Sequence, residues 1–284
     1  MGRKSPKTSE KISIPLIRYG IPLSVMGLLL KEGIDIDLIR TAIIALITIS
    51  ILIIFIRRIP LLKNQFYPNY SLILGGLIGN TSFLGFPIAL ALLPENTINF
   101  TVGFDLGTTL FAWIFGPYLL QKNDVNYSLI NFTKIFSLIL NSPASRGVIG
   151  VLIVYLLGFQ DKLGKIIFIP TLGVIAIAVI VVGTRLGIIF NQKTQIFNFE
   201  KGIKYAFLLK LFIFPLFIYI ICKFFNLNSI ETKAIVLQAG TPTAISTILM
   251  AEAYKTNQDI AAKILFTTTI FSFLTIPIIN LIIQ

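Results

Sequence analysis

Apolar residues follow one another along this chain in runs of roughly twenty, and short polar stretches rich in lysine and arginine separate the runs. An α-helix needs about 20 residues to cross the hydrocarbon core of a bilayer. The pattern predicts nine membrane-spanning helices: Ile12–Leu30, Leu38–Ile56, Tyr70–Leu93, Ile98–Leu120, Pro143–Phe159, Ile166–Phe190, Ile203–Cys222, Ala234–Tyr254 and Ile264–Ile283. We therefore expect an all-α integral membrane protein, with its two termini on opposite sides of the membrane.

The basic residues in the loops and near the ends of the predicted spans indicate the orientation. Sixteen lie on the side of the N-terminal tail, and six lie on the opposite side: Lys31, Arg40, Lys162, Lys165, Lys223 and Lys233. Cytoplasmic loops carry the excess of lysine and arginine. The N-terminus is therefore predicted in the cytoplasm and Gln284 outside, in what we expect to be a prokaryotic plasma membrane.

Composition supports the membrane assignment and restricts the chemistry. Hydrophobic residues make up 55% of the 284 residues and charged residues 13%, and the mean hydropathy is +0.88. The formal charge of +12 lies in loops between apolar spans, so no nucleic-acid partner is expected. Histidine is absent from the sequence, which removes histidine-dependent nucleophiles, zinc ligands and proton relays. We expect neither an enzyme nor a cofactor or metal site, and the single cysteine, Cys222, is expected to be a filler.

The segment Asn126–Asn141 between the fourth and fifth spans is apolar but interrupted by Asn131, Thr133 and Lys134. It is too short to cross the membrane and is expected to form an interfacial helix. Residues 1–11 are expected to form a basic cytoplasmic tail, and residues 121–142 a cytoplasmic connector.

Two predicted spans contain helix-breaking residues in their middle. The third span reads Gly75-GLIGNTSFLGF-Pro87, and the eighth reads Gln238-AGTPTAIS-Thr247. Glycine and proline weaken or break helices, and unwound backbone is tolerated at membrane depth only inside protein or beside a watery cavity. The eighth span comes five positions after the third, and this odd offset reverses direction through the membrane. An inverted repeat with two discontinuous helices crossing at the midplane is therefore predicted.

The same residue types also have a structural explanation. Small and hydroxyl residues in membrane helices often serve close packing, and proline kinks are common there. The occurrence of two such segments in corresponding places favours a binding site over packing alone.

The chain resembles the auxin efflux carrier family in several motifs. Asn80-TSFLGFPIALA-Leu92 is similar to the first crossover helix of that family, and Gly240-TPTAISTILMAEA-Tyr254 with Asp259-IAAKILFTTTIFSFLTI-Pro277 is similar to its last two helices. Weaker matches are Tyr19-GI-Pro22 and Leu138-ILNS-Pro143. The resemblance implies the fold shared by bile acid, auxin and arsenite transporters, with ten helices in two inverted repeats that form a scaffold and a transport domain.

The first recognisable helix of this chain matches the second of the family. The first family helix is therefore expected to be missing, through loss or through a start codon placed too late. The first repeat would comprise residues 12–120 with four helices, and the second residues 143–284 with five. Many members also carry a polar amide just before the proline of that helix, where this chain has Arg18 and Tyr19.

The candidate substrate-binding residues lie at the two breaks. Helix ends within the membrane offer free N–H groups and a positive dipole end to an anion, while hydroxyl and amide side chains add hydrogen bonds. Phe83 and Phe86 could bound an apolar part of the substrate. The predicted site residues are Asn80, Thr81, Ser82, Phe83, Gly85, Pro87, Gly240, Thr241, Pro242, Thr243 and Ser246.

Three charged residues lie farther inside predicted spans than the others, and a charge at the centre of the bilayer costs at least ~2.5–3.5 kcal/mol. Asp105 is a candidate for relaying a coupling proton, although it would equally suit the outer interface. Lys210 is a candidate partner for a carboxylate or the substrate, or it reaches the headgroups. Arg18 is a candidate for coupling or charge pairing, or it extends to the cytoplasmic surface.

The leading hypothesis is a permease, a secondary active transporter that moves a small organic anion such as a carboxylate by alternating access. The resemblance implies the substrate class, and coupling to protons or sodium ions and a homodimer in the bilayer are further expectations. Two alternatives remain: a degenerate membrane protein that does not transport, and an intramembrane aspartyl enzyme, which would need a second opposed carboxylate.

Overall fold

The computed structural model describes residues 15–66, 69–120, 136–137, 140, 142–191, 200–253 and 256–283. In these ranges the regular structure is helical, apart from an isolated antiparallel bridge. The α-helices are α1 Ile21–Glu32, α2 Ile36–Arg58, α3 Pro60–Phe66, α4 Tyr70–Leu77, α5 Phe86–Leu92, α6 Ile98–Leu120, α7 Pro143–Leu156, α8 Gln160–Asn191, α9 Lys201–Leu208, α10 Phe214–Phe224, α11 Ser229–Ala239, α12 Ser246–Ala253 and α13 Gln258–Ile282. The predicted interfacial segment and the basic tail lie almost entirely outside the described residues.

Five helical stretches in the described ranges are long and apolar enough to cross a membrane. They are Ile36–Arg58, Glu95–Gly116, Gln160–Thr184, Lys201–Phe224 and Gln258–Ile282. They coincide with the second, fourth, sixth, seventh and ninth predicted spans, which identifies an all-helical integral membrane protein. The count of nine spans stays a prediction, because the other four correspond to shorter or interrupted helices. One of these, α7, has 14 residues, or about 21 Å of helix.

Three short π-helical turns precede proline residues, and the sequence pattern did not predict them. They are Leu16–Gly20 before Pro22, Thr81–Gly85 before Pro87, and Leu209–Ile213 before Pro215. Proline has no N–H to donate, and its ring collides with the carbonyl four residues earlier. A widened turn relieves that collision, and such turns often occur at functional sites.

Two groups of helices form the interior. Helix α1 packs against α7 and α8, and the residues of this group share a core that includes Val25, Leu29 and Val151. A larger core joins α2, α4, α6, α9, α10, α11 and α13. The broken segment Thr81–Leu92 contacts helices of both groups. It therefore lies where the two groups meet.

Helices α2 and α6 approach each other closely within the larger group. Gly103 and Gly107, four residues apart on one face of α6, lie against the carbonyl oxygens of Leu38 and Ala42. A Cβ atom at either glycine would overlap the carbonyl oxygen that faces it. Small residues at this spacing allow two membrane helices to touch along their backbones.

Candidate binding site

Both predicted interruptions are present, and the two breaks contact each other. Helix α4 ends at Leu77 and the π-turn that continues its span begins at Thr81, while α11 ends at Ala239 and α12 begins at Ser246. Between them the Asn80 N–H donates to the Pro242 carbonyl at 2.7 Å, and the Ala244 N–H donates to the Ile78 carbonyl at 2.9 Å. The prediction of two interrupted, adjacent helices is confirmed, whereas their depth in the bilayer stays a prediction.

Side chains satisfy the carbonyl groups that the breaks leave without helical partners. The Thr243 hydroxyl donates to the Gly75 carbonyl of the other broken helix at 2.6 Å. The Thr241 hydroxyl donates to the Gln238 carbonyl at 2.7 Å, and the backbone N–H of Thr243 donates to the Thr268 hydroxyl at 3.1 Å. The last carbonyls of a helix have no N–H donor within the helix. The two bonds from the threonine hydroxyls to carbonyls therefore allow both helices to end inside the protein.

A cavity adjoins the crossing and is walled by residues of both broken helices. It encloses about 480 Å³ of empty space, its open mouth included. Its lining residues are Ile17, Ile21, Ile78, Gly79, Asn80, Thr81, Ser82, Phe83, Thr109, Ala112, Trp113, Pro143, Ala244, Ile245 and Ser246. Mixed apolar and polar walls of this kind suit a small molecule with a polar group and an apolar part.

At the two breaks, the side chains of Asn80 and Ser246 line the cavity and have no hydrogen-bond partner among the described residues. Asn80 is 5% exposed and precedes the π-turn Thr81–Gly85 without capping it by its side chain. Ser246 stands at the start of α12. Polar groups that the fold does not use are available to a ligand.

Asp105 is fully buried beside the start of the same π-turn. The hydroxyls of Thr81 and Ser82 donate to its Oδ1 at 2.5 and 2.6 Å. Its Oδ2 has no hydrogen-bond partner in the described ranges. The beginning of a helix carries partial positive charge, which favours a carboxylate there.

Lys210 is also fully buried, and it lies at the negative end of a half-helix. Its Nζ donates to the Ala239 carbonyl at the end of α11 at 2.6 Å, and it lies 4.8 Å from the centroid of the Phe214 ring. A carbonyl, an aromatic face and the negative end of a helix each stabilise an ammonium group. Lys210 therefore does not extend to the lipid headgroups, which was one of its two expected roles.

The predicted site residues divide into two groups. Asn80, Thr81, Ser82, Phe83 and Ser246 line the cavity, whereas the remaining candidates do not: Gly85, Pro87, Gly240, Thr241, Pro242 and Thr243.

The candidates that lie outside the cavity lining contact other parts of the crossing. Thr241 and Thr243 use their hydroxyls on carbonyls of the crossing. Gly85 lies against the buried Gln238 side chain, whose Oε1 would overlap a Cβ added at this glycine.

Arg18 is exposed, with its guanidinium 5.5 Å from the Tyr19 ring centroid.

Most of the cavity wall was not among the predicted residues. Thr109 and Trp113 follow Asp105 at four-residue intervals on α6 and therefore share its helix face. Trp113 is the single tryptophan of the chain. The four-residue spacing of Thr109 and Trp113 from Asp105 could have identified this part of the wall from the sequence.

Comparisons with known proteins show the family of this chain. The family model described as membrane transport protein matches residues 127–280, which is more than half of the chain. The chain therefore belongs to this family, the auxin efflux carrier family of permeases, and the resemblance found in its sequence is confirmed.

The chain is also similar to an uncharacterized transporter of Methanocaldococcus jannaschii. The two are 24% identical over 212 residues, which cover 73% of this chain and 66% of the relative. The matched region thus spans just under two thirds of the relative's length. The family and the relative are both described as transport proteins.

Proposed function

We propose that this protein is a secondary active transporter that carries a small organic anion, a carboxylate, by alternating access. The observation that carries the proposal is the cavity at the crossing, in which Asn80 and Ser246 from two different broken helices offer uncommitted polar groups. An amide and a hydroxyl beside helix ends are suitable donors for a carboxylate. The apolar remainder of the wall, including Phe83 and Trp113, suits the carbon skeleton of such a substrate.

The arrangement supports nine spans in two inverted repeats. The two hydrogen bonds between the breaks are reciprocal, since each segment donates one and accepts one in antiparallel register. Two copies of one motif related by an axis in the membrane plane would meet in this way.

With the N-terminus in the cytoplasm, the cavity is on the cytoplasmic side of the crossing. Ile17 is near the start of the first span, Trp113 lies in the second half of α6, and Pro143 begins α7, and all three line it. The conformation is thus inward-facing.

Two further cavities continue along the segment Thr81–Leu92 towards the other side. The middle cavity is bordered by Phe83 and Phe86, and the outer one by Phe86 and Glu95. Beyond them Lys31, at the end of α1, forms an ion pair with Glu95 at 2.6 Å. This succession supports a path along the boundary between the two helix groups, closed on the outer side in this conformation.

Asp105 is the residue that we assign to coupling. Ser82 both lines the cavity and donates to Asp105, so one hydrogen bond connects the carboxylate to the substrate site. A proton on Asp105 removes a negative charge beside an anion, and binding of the proton and of the anion would therefore favour each other.

Uptake into vesicles that contain the purified protein tests the proposal. We would screen labelled acetate, benzoate, malate and citrate and then compare Asn80→Ala with the parent. Losing one hydrogen bond to a charged group costs roughly 1.5–3 kcal/mol, so affinity should fall on the order of ten- to a hundred-fold. Asn64→Ala, which removes an exposed amide on α3, is the matched control.

Unchanged transport by Asn80→Ala, at equal amounts of folded protein, would show that the cavity is not the site. Absence of uptake for every carboxylate would favour the non-transporting alternative. An aspartyl enzyme is less well supported, because the partners of Asp105 in the described ranges are hydroxyl groups.

A further inference from the structure

One residue of the cavity wall, Gly79, has no side chain, and the buried side chain of Lys210 lies directly behind it. Gly79 lines the cavity, while a Cβ atom built on it would be 3.2 Å from Lys210 Nζ and 2.5 Å from the Thr241 hydroxyl. Lys210 itself does not line the cavity and is fully buried. The wall between the ammonium group and the cavity is therefore one residue thick at this point.

The position of this cation is fixed by its surroundings. Its Nζ donates to Ala239 at the end of α11 and lies over the Phe214 ring. Lys210 belongs to the π-turn before Pro215, and this widened turn places the residue at the crossing. A charge held in a low-dielectric surrounding acts over several ångströms with little screening.

We propose that Lys210, as an ammonium group, determines the charge preference of the cavity, acting across the backbone of Gly79. The inference rests on the proposed function, because it names the residue that makes the transported molecule an anion. Lys210 is a specificity-determining residue in this account and makes no contact with the substrate. Asp105, on the π-turn side of the crossing, acts in the opposite direction, so removing Lys210 leaves a cavity that attracts cations.

Thiol labelling measures this potential without any knowledge of the substrate. Cys222→Ser removes the single native thiol, and Ser246→Cys then places one in the cavity wall. Its rate of modification is measured with the anionic reagent sulfonatoethyl methanethiosulfonate and with the cationic trimethylammonioethyl methanethiosulfonate. Each rate is divided by that of 2-mercaptoethanol, and the ratio of the two corrected rates reports the local potential.

In the chain that carries only Cys222→Ser and Ser246→Cys, the corrected rate with the anionic reagent should exceed the corrected rate with the cationic reagent. Lys210→Met and Lys210→Gln should each lower the ratio of the anionic to the cationic rate about tenfold. The glutamine variant serves if the methionine variant folds poorly, because glutamine keeps an N–H donor for the Ala239 carbonyl. Lys210→Arg should retain the ratio. Lys165→Met, which removes the same charge from an exposed position on α8, should leave the ratio within about twofold of its starting value.

A ratio that Lys210→Gln does not change would overturn the inference. The same conclusion would follow if neither reagent modified the introduced thiol while Lys210 is present, because Gly79 would then not face a solvent-connected cavity. Failure of the proposed function has a different signature, namely no carboxylate uptake by the parent while the labelling ratio still depends on Lys210.

Discussion

Replacing Thr243 by valine removes a side-chain hydrogen bond that joins the two broken helices, at almost constant volume. The Thr243 hydroxyl donates to Gly75 at 2.6 Å and is fully buried. Valine leaves that carbonyl without this donor inside the protein, which costs about 1–3 kcal/mol. We expect the free energy of unfolding, measured by titrating the purified protein with dodecyl sulfate in mixed micelles, to fall by this amount.

Thr267→Val is the matched control for this measurement. The Thr267 hydroxyl is equally buried, but it donates to carbonyls of Lys263 and Ile264 within its own helix. Those carbonyls also accept the N–H groups of an uninterrupted helix, so valine should cost less than ~0.5 kcal/mol here. Equal destabilisation by the two substitutions, or none by Thr243→Val, would refute the view that this bond holds the crossing together.

Further substitutions test the packing and the ion pairs. Gly103→Ala places a methyl group against a backbone carbonyl of α2, and separating the helices should cost about 1–3 kcal/mol in the same titration. Gly183→Ala, with nothing within 4 Å, should cost nothing, and similar losses for both would contradict the contact between α2 and α6. Arg40 bridges Asp37 and Glu231 at 2.9 and 3.1 Å. Arg40→Gln should therefore destabilise more than Lys31→Gln, because the nearer carboxylate partner of Lys31, Glu95, is 67% exposed and the other lies at 3.8 Å. High salt should reduce both losses, and a larger loss for Lys31→Gln would contradict this ranking.

The sequence predicted the long spans and the two interruptions for simple reasons. The length of an apolar run is set by the bilayer, so α2, α6 and α13 are visible in composition alone. Glycine and proline act on the backbone of their own segment, so the breaks near Asn80 and Gly240 needed no knowledge of neighbouring helices.

The partners of the polar side chains could not be predicted in this way. Thr241, Thr243 and Ser246 are similar in sequence, yet the first two donate to carbonyl groups and the third lines the cavity. Which of these roles a hydroxyl takes depends on the orphan carbonyls that reach it after the two breaks have met. The same is true of Lys210, since Ala239 and Gly79 become its neighbours only through the tertiary fold.

The joint between the two broken helices consists of main-chain atoms. The N–H groups of Asn80 and Ala244 and the carbonyls of Pro242 and Ile78 form its two hydrogen bonds, and every residue type except proline supplies a backbone N–H. The side chain of Asn80 can therefore change during evolution without removing the joint. Single substitutions in the cavity wall can therefore alter its shape and polarity while the two hydrogen bonds that join the broken helices are kept.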